Sequence, residues 1–196
     1  MHDFRCVGNK LFCEGVAVET LAKKFNTPLY VYSQRTLTSH FEKLDQALAP
    51  LDHLICFAMK SNSNLAVLRT LADLGAGFDI VSGGELQRVI TAGGDPRQCV
   101  FAGVGKTGAE IEFALKKNIY SFNVESEPEL QRINQVAARL KKIAPVAVRV
   151  NPNIEANTHA KITTGCLLYT SSRVATTPPC DHACQQTVVP VTNWAC

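Results

Sequence analysis

Apolar residues fall along this chain in short runs separated by longer segments of helical period. From residue 50 onward the runs come at 54–59, 77–81, 99–102, 120–124 and 146–150, each the length of a buried strand and too short for a helix. The gaps between them carry apolar residues three and four apart. One has Leu86, Val89 and Ile90, the next Ile111, Ala114 and Leu115, and the last Leu130, Ile133, Ala137 and Leu140, each set lying on one helix face. Three helix starts pair a hydroxyl with a glutamate three residues on: Ser82 with Glu85, Thr107 with Glu110, Ser126 with Glu129. In such a capping box the hydroxyl accepts from an orphan backbone N–H and the glutamate reaches back to the cap residue. Five strands alternating with four helices predict an α/β fold whose helices cover a parallel sheet. The pattern leaves open a doubly wound sheet and a (β/α)8 barrel.

Before residue 50 the elements are less regular. Residues 11–18 read as a short hairpin turning at Glu14 and Gly15, followed by a helix over 19–25, a strand from Leu29 to Tyr32 and a helix from about Gln34 to Leu48. After Gly165 the character changes: residues 166–196 hold two charged side chains, Arg173 and Asp181, together with three prolines and no period of 2 or 3.6. The chain therefore divides into an N-terminal lead-in (1–48), a βα-repeating segment (49–165) and an atypical tail (166–196), expected to be disordered or the product of a truncated or misread coding region.

Charge and cysteines narrow the possibilities. The 20 basic and 17 acidic side chains, net +3, are mixed along the chain without the basic block of a nucleic-acid-binding surface. No uninterrupted apolar run approaches the length that spans a membrane, and the first residues lack the apolar core of a signal peptide, so the protein is expected to be soluble and cytoplasmic. Cys6, Cys13, Cys56 and Cys99 are spaced for neither disulfides nor zinc and are expected to be reduced thiols; Cys166, Cys180, Cys184 and Cys196 crowd the tail. Cys180, His182 and Cys184 place three potential ligands in five residues with no second pair to close a tetrahedral site, so no metal is expected.

Candidate chemistry sits at the strand ends, where α/β folds expose reactive groups. Lys60 directly follows the first apolar run, in Phe57-Ala-Met-Lys-Ser-Asn-Ser-Asn64. On position alone it is either a reactive amine or an ordinary solvated lysine. Gly103-Val-Gly-Lys-Thr107 imitates a phosphate loop, but the glycine that must stand five residues before the Gly-Lys pair is Val100, so the motif fails and Thr107 reads as a cap. Gly75-Ala-Gly77 precedes a strand instead of following one, which excludes a dinucleotide fingerprint. Asp79 and Arg149 lie inside apolar runs, where an unpaired charge costs several kcal/mol. Each either meets a local counter-ion or faces a shared barrel mouth.

Taken together these segments resemble the fold type III pyridoxal-phosphate decarboxylases, the alanine-racemase-like barrel family. The markers run in order through Glu14-Gly-Val16, Thr27-Pro-Leu-Tyr-Val-Tyr32, Phe57 to Asn64, Gly77-Phe-Asp-Ile-Val-Ser-Gly-Gly-Glu-Leu86, Asn123-Val-Glu-Ser-Glu127, Val148-Arg-Val-Asn-Pro152 and Thr158-His-Ala-Lys-Ile-Thr-Thr-Gly165. The resemblance implies a partial (β/α)8 barrel of about five βα units, preceded by a short strand segment of a second β-domain. It implies pyridoxal 5'-phosphate as cofactor, with Lys60 as the Schiff-base lysine. Arg149 would lie by the cofactor, Asp79 near the lysine, and His159 in the loop after the fifth strand. The activity implied is decarboxylation of meso-diaminopimelate to L-lysine, with ornithine, arginine or carboxynorspermidine as rival substrates, in a homodimer. Beyond Gly165 the family pattern gives way to Cys166-Leu-Leu-Tyr-Thr170. The later barrel strands, the glycine-rich phosphate loop and the C-terminal domain do not follow, so the 196-residue product itself is expected to be inactive and aggregation-prone.

Overall fold

Each apolar run of the repeating segment forms a strand, and the computed structural model describes residues 3–150 of the chain. Strands β4 (Cys56–Ala58), β5 (Gly77–Ile80), β6 (Cys99–Phe101), β7 (Ser121–Val124) and β8 (Val146–Val148) pair in parallel in the order β4-β5-β6-β7-β8. Between them lie helices α3 (Leu65–Asp73), α4 (Gly83–Ala92), α5 (Gly108–Lys117) and α6 (Glu127–Leu140). Alternation along the strands decides the layering. Phe78, Ile80, Cys99, Phe101, Phe122 and Val124 are fully buried in one cluster with Leu68, Leu86, Val89, Ile111 and Ile133 of the helices. Ile90, Leu130 and Leu140 pack against its margin. A doubly wound sheet reverses its strand order and carries helices on both faces. Here the order is strictly sequential and the helix layer is on one face, which is the progression of a (β/α)8 barrel through five strands.

Helix ends show how far the capping signals carry. Thr107 and Glu110 form the complete box: the Thr107 hydroxyl accepts from Glu110 N, and the Glu110 carboxylate accepts from Thr107 N. Ser82 accepts from Glu85 N, but the Glu85 carboxylate reaches past the cap to Val81 N at 2.7 Å. Ser126 makes no side-chain cap bond, contrary to the expected box, and the Glu129 carboxylate accepts from Glu125 N and from Lys106 instead of reaching back to Ser126 N.

The N-terminal hairpin is part of a larger antiparallel sheet. Strands β1 (Phe4–Val7), β2 (Lys10–Cys13) and β3 (Val16–Ala17) form a meander, and helix α1 (Val18–Phe25) follows. The sequence pattern missed β1; its signal is the Gly8-Asn9 dipeptide, which has positive φ at both residues and joins the paired Val7 and Lys10. Helix α2 (Gln34–Leu48) is where its pattern placed it. Residues Leu29 to Tyr32 do not form the expected strand. Their β-branched and aromatic side chains suit a strand, but no sheet edge among the described residues pairs with them, and Tyr30 is 84% exposed.

Two close-packed points in the sheet are testable. A Cβ on Gly77 would lie 2.4 Å from the Gln98 carbonyl oxygen and 2.9 Å from Cys56 Sγ. Gly77→Ala is expected to cost about 1–3 kcal/mol, toward the upper end because the obstructing atom is backbone. A urea midpoint equal to that of the parent chain would show that the β4–β5 edge yields freely. Burial pushes the Cys99 thiol up to about 12 and, with help from the Asp79 carboxylate, the Cys56 thiol up to about 11. Both are held neutral, so the stability they contribute is complete below the usual thiol range and lost as pH climbs toward 11 and 12. Peptide mapping after brief alkylation of the native chain at pH about 8 should find exposed Cys6 labelled well ahead of Cys56 and Cys99. Equal labelling of the three would contradict this packing.

Candidate active site at the strand ends

Lys60, Asp79 and Arg149 lie at or near the C-terminal ends of parallel strands. Lys60 leaves β4 in a 3-10 turn, Met59–Ser61, anchored by buried Met59. Ser61 Oγ donates to Ala58 O at 2.7 Å, and Asn62 N donates to Met59 O at 3.1 Å, so the turn that presents Lys60 is tied to its own strand. The lysine is exposed, and no hydrogen bond or ion pair to its ammonium is found among the described residues.

Asp79 lies on the neighbouring strand, in register with Ala58, and alternates with Phe78 and Ile80, whose side chains enter the core under the helices. Its Oδ1 is buried with no hydrogen-bond partner among the described residues. Burial raises its pKa; the Lys60 and Lys106 ammonium groups pull the other way, while the Glu85 carboxylate adds to the rise. The expected direct counter-ion is therefore missing at Asp79 among the described residues, and Lys60 is the cation that acts on it most.

Arg149 was expected within the last strand, but β8 ends at Val148 and Arg149 lies just beyond it. Its backbone N still donates to Val124 O at 3.0 Å, so the chain continues alongside β7 for one residue past the strand. The guanidinium is 59% exposed and meets a counter-ion, Glu125 Oε2, at 3.2 Å. Lys60, Asp79 and Arg149 thus share one end of the sheet, with Lys60 in the turn that follows β4 and Asp79 on the adjacent β5. His159 lies outside the described residues.

Lys106, the lysine of the failed phosphate loop, has an unexpected place. Its side chain is fully buried, and its ammonium donates to Gly103 O at 2.7 Å, Asn123 O at 2.8 Å and Glu129 Oε1 at 2.5 Å. All three of its protons are spent inward, so none is left for a phosphate. The second Glu129 oxygen accepts from Glu125 N at 2.9 Å, and Glu125 Oε1 accepts from Gly103 N at 3.2 Å. Sequence reasoning missed this cluster because Lys106 beside glycines looks like a loop cation and Glu129 like a capping glutamate. A further carboxylate, Glu110, joins two turns: it accepts from Gly83 N at 2.9 Å as well as from Thr107, and these donors hold its pKa below the ordinary glutamate value.

Among the described residues no group of three potential metal ligands occurs, and no helix is long and apolar enough to cross a membrane. A cavity of about 300 Å³ opens at the start of α2 between Glu14, Arg35 and Glu42, and none of Lys60, Asp79 or Arg149 lines it.

A family model described as "pyridoxal-dependent decarboxylase, pyridoxal binding domain" matches residues 34–167. The chain is 56% identical over 155 residues to a diaminopimelate decarboxylase of Neisseria meningitidis, covering 79% of this chain and 37% of that relative. Its fold is similar to a crystal structure of Helicobacter pylori diaminopimelate decarboxylase complexed with L-lysine, at a TM-score of 0.73 and 44% identity over 77% of this chain and 38% of that one. It is also similar to the M. jannaschii diaminopimelate decarboxylase, at a TM-score of 0.76 and 38% identity over 83% and 39%. The chain spans well under half the length of these relatives.

Proposed function

Because this chain belongs to the pyridoxal-dependent decarboxylases, over their pyridoxal binding domain, we propose that it is the cofactor-holding part of an enzyme that converts meso-2,6-diaminopimelate to L-lysine. The observation that carries the proposal is Lys60: an exposed primary amine, free of partners among the described residues, presented at a strand end beside a carboxylate whose buried Oδ1 has none. An amine and an orphaned acceptor at one rim, with the exposed Arg149 cation at the same end of the sheet, fit pyridoxal phosphate. When bound, the cofactor supplies an aldehyde that a primary amine can capture and a conjugated ring that takes up the electrons left when carbon dioxide departs. Lys60 would hold it, since no other side chain type brings a primary amine. Asp79 would act on the lysine through charge. Arg149, and His159 beyond the described residues, would lie beside the cofactor.

The substrate rests on the 56% identity to a protein named for diaminopimelate. The unpaired thiols of Cys6, Cys13, Cys56 and Cys99 support a cytoplasmic setting, and the family resemblance a homodimer of complete subunits. A chimera carrying residues 1–165 in place of the matching segment of the Neisseria enzyme tests the assignment. Carbon dioxide release from meso-diaminopimelate is expected, with L-lysine as product. A chimera that binds the cofactor but prefers ornithine or arginine would overturn the substrate assignment.

A further inference from the structure

We propose that Lys106, Glu129 and Glu125 are positioning residues that fix the guanidinium of Arg149 at the rim of the site. The proposal rests on the reading above that Arg149 lies beside the cofactor. An exposed arginine samples many rotamers, and a bound group gains most from a cation already held in place. Arg149 has one carboxylate partner among the described residues, Glu125 Oε2 at 3.2 Å. That carboxylate is itself held: its other oxygen accepts from Gly103 N at 3.2 Å, and its own backbone N donates to Glu129 Oε2 at 2.9 Å. Glu129 is 7% exposed, and its remaining oxygen takes the Lys106 ammonium at 2.5 Å. Lys106 closes the loop by donating to Gly103 O and to Asn123 O.

The chain of contacts therefore runs from a buried ion pair to an exposed cation. It links the turn after β6, strand β7 with the turn that follows it, and the end of β8. Neither Lys106 nor Glu129 can reach a ligand at the rim, since both side chains are enclosed. Glu125, 14% exposed, stands between that enclosed pair and the exposed guanidinium.

Replacing Lys106 threatens the fold, so the test uses Glu125→Gln, which keeps an oxygen for the Gly103 N–H and turns a donor toward Arg149. Two quantities are read on the full chain: the rate at which butanedione modifies Arg149, followed by peptide mass spectrometry, and pyridoxal phosphate affinity by absorbance titration. Glu125→Gln is expected to speed modification of Arg149. It should also weaken cofactor affinity about ten-fold, the scale at which outer-shell partners act on bound groups. The double variant with Arg149→Gln should lose no more than Arg149→Gln alone, because the two act as one unit. Equal modification rates in parent and variant would overturn the proposal, as would losses that simply add. If the parent chain takes up no cofactor at Lys60, the functional reading fails, and the modification rates still decide whether Glu125 holds Arg149.

Discussion

Lys106→Met is expected to destabilise the fold by about 3–5 kcal/mol, the cost of leaving one member of a buried ion pair behind. The ammonium it removes is completely enclosed and satisfies three acceptors, the Glu129 carboxylate and the carbonyls of Gly103 and Asn123. Lys106→Arg should recover little, since a planar fork cannot serve three acceptors arranged around a point charge. Lys106→Met combined with Glu129→Leu should recover much of the loss, because removing both charges also removes their desolvation penalty. Exposed pairs such as Lys23–Glu19 offer the contrast, and breaking them should leave the urea midpoint nearly unchanged. Urea unfolding followed by circular dichroism measures all of these. A Lys106→Met loss no larger than that of a surface pair would contradict the enclosed network.

Lys60→Ala should do the opposite: abolish cofactor attachment and leave stability within about 0.5 kcal/mol of the parent, as for surface substitutions generally. Lys60 is exposed and hydrogen-bonds to none of the described residues, so no hydrogen bond is lost when it goes and Asp79 loses only a neighbouring charge. Its proposed task is chemical, and only a primary amine can perform it. Lys60→Arg should fail equally, because a guanidinium stays protonated. The absorbance of the chain after incubation with pyridoxal phosphate and gel filtration reports the loss. A variant that still retains the cofactor band would place attachment elsewhere.

The two lysines show how much of this site the sequence carries. Both follow apolar strands in short glycine, serine or asparagine loops, and local pattern treats them alike. What separates them lies outside the local window: Glu129, 23 positions on, converges on Lys106, whereas Asp79, on the next strand, acts on Lys60 only through charge. Strand and helix placement was legible because period and capping are local properties. The choice of barrel over doubly wound sheet was not local; it follows from strand order and from the helices between the strands, α3 to α6, packing into one core cluster. The Leu29–Tyr32 segment failed for the same reason, since strand propensity needs a partner edge. Glu129 illustrates the limit at one residue: its spacing from Ser126 matches a capping box, but a buried ammonium competes for the carboxylate and wins.

The central proposition is that Lys60 is the amine that holds pyridoxal phosphate. Its most direct measurement is borohydride reduction of the cofactor-treated chain followed by peptide mapping in a mass spectrometer. One dominant pyridoxyl modification on the Lys60 peptide is expected. Modification spread over surface lysines such as Lys23 and Lys116, without enrichment at Lys60, would contradict it.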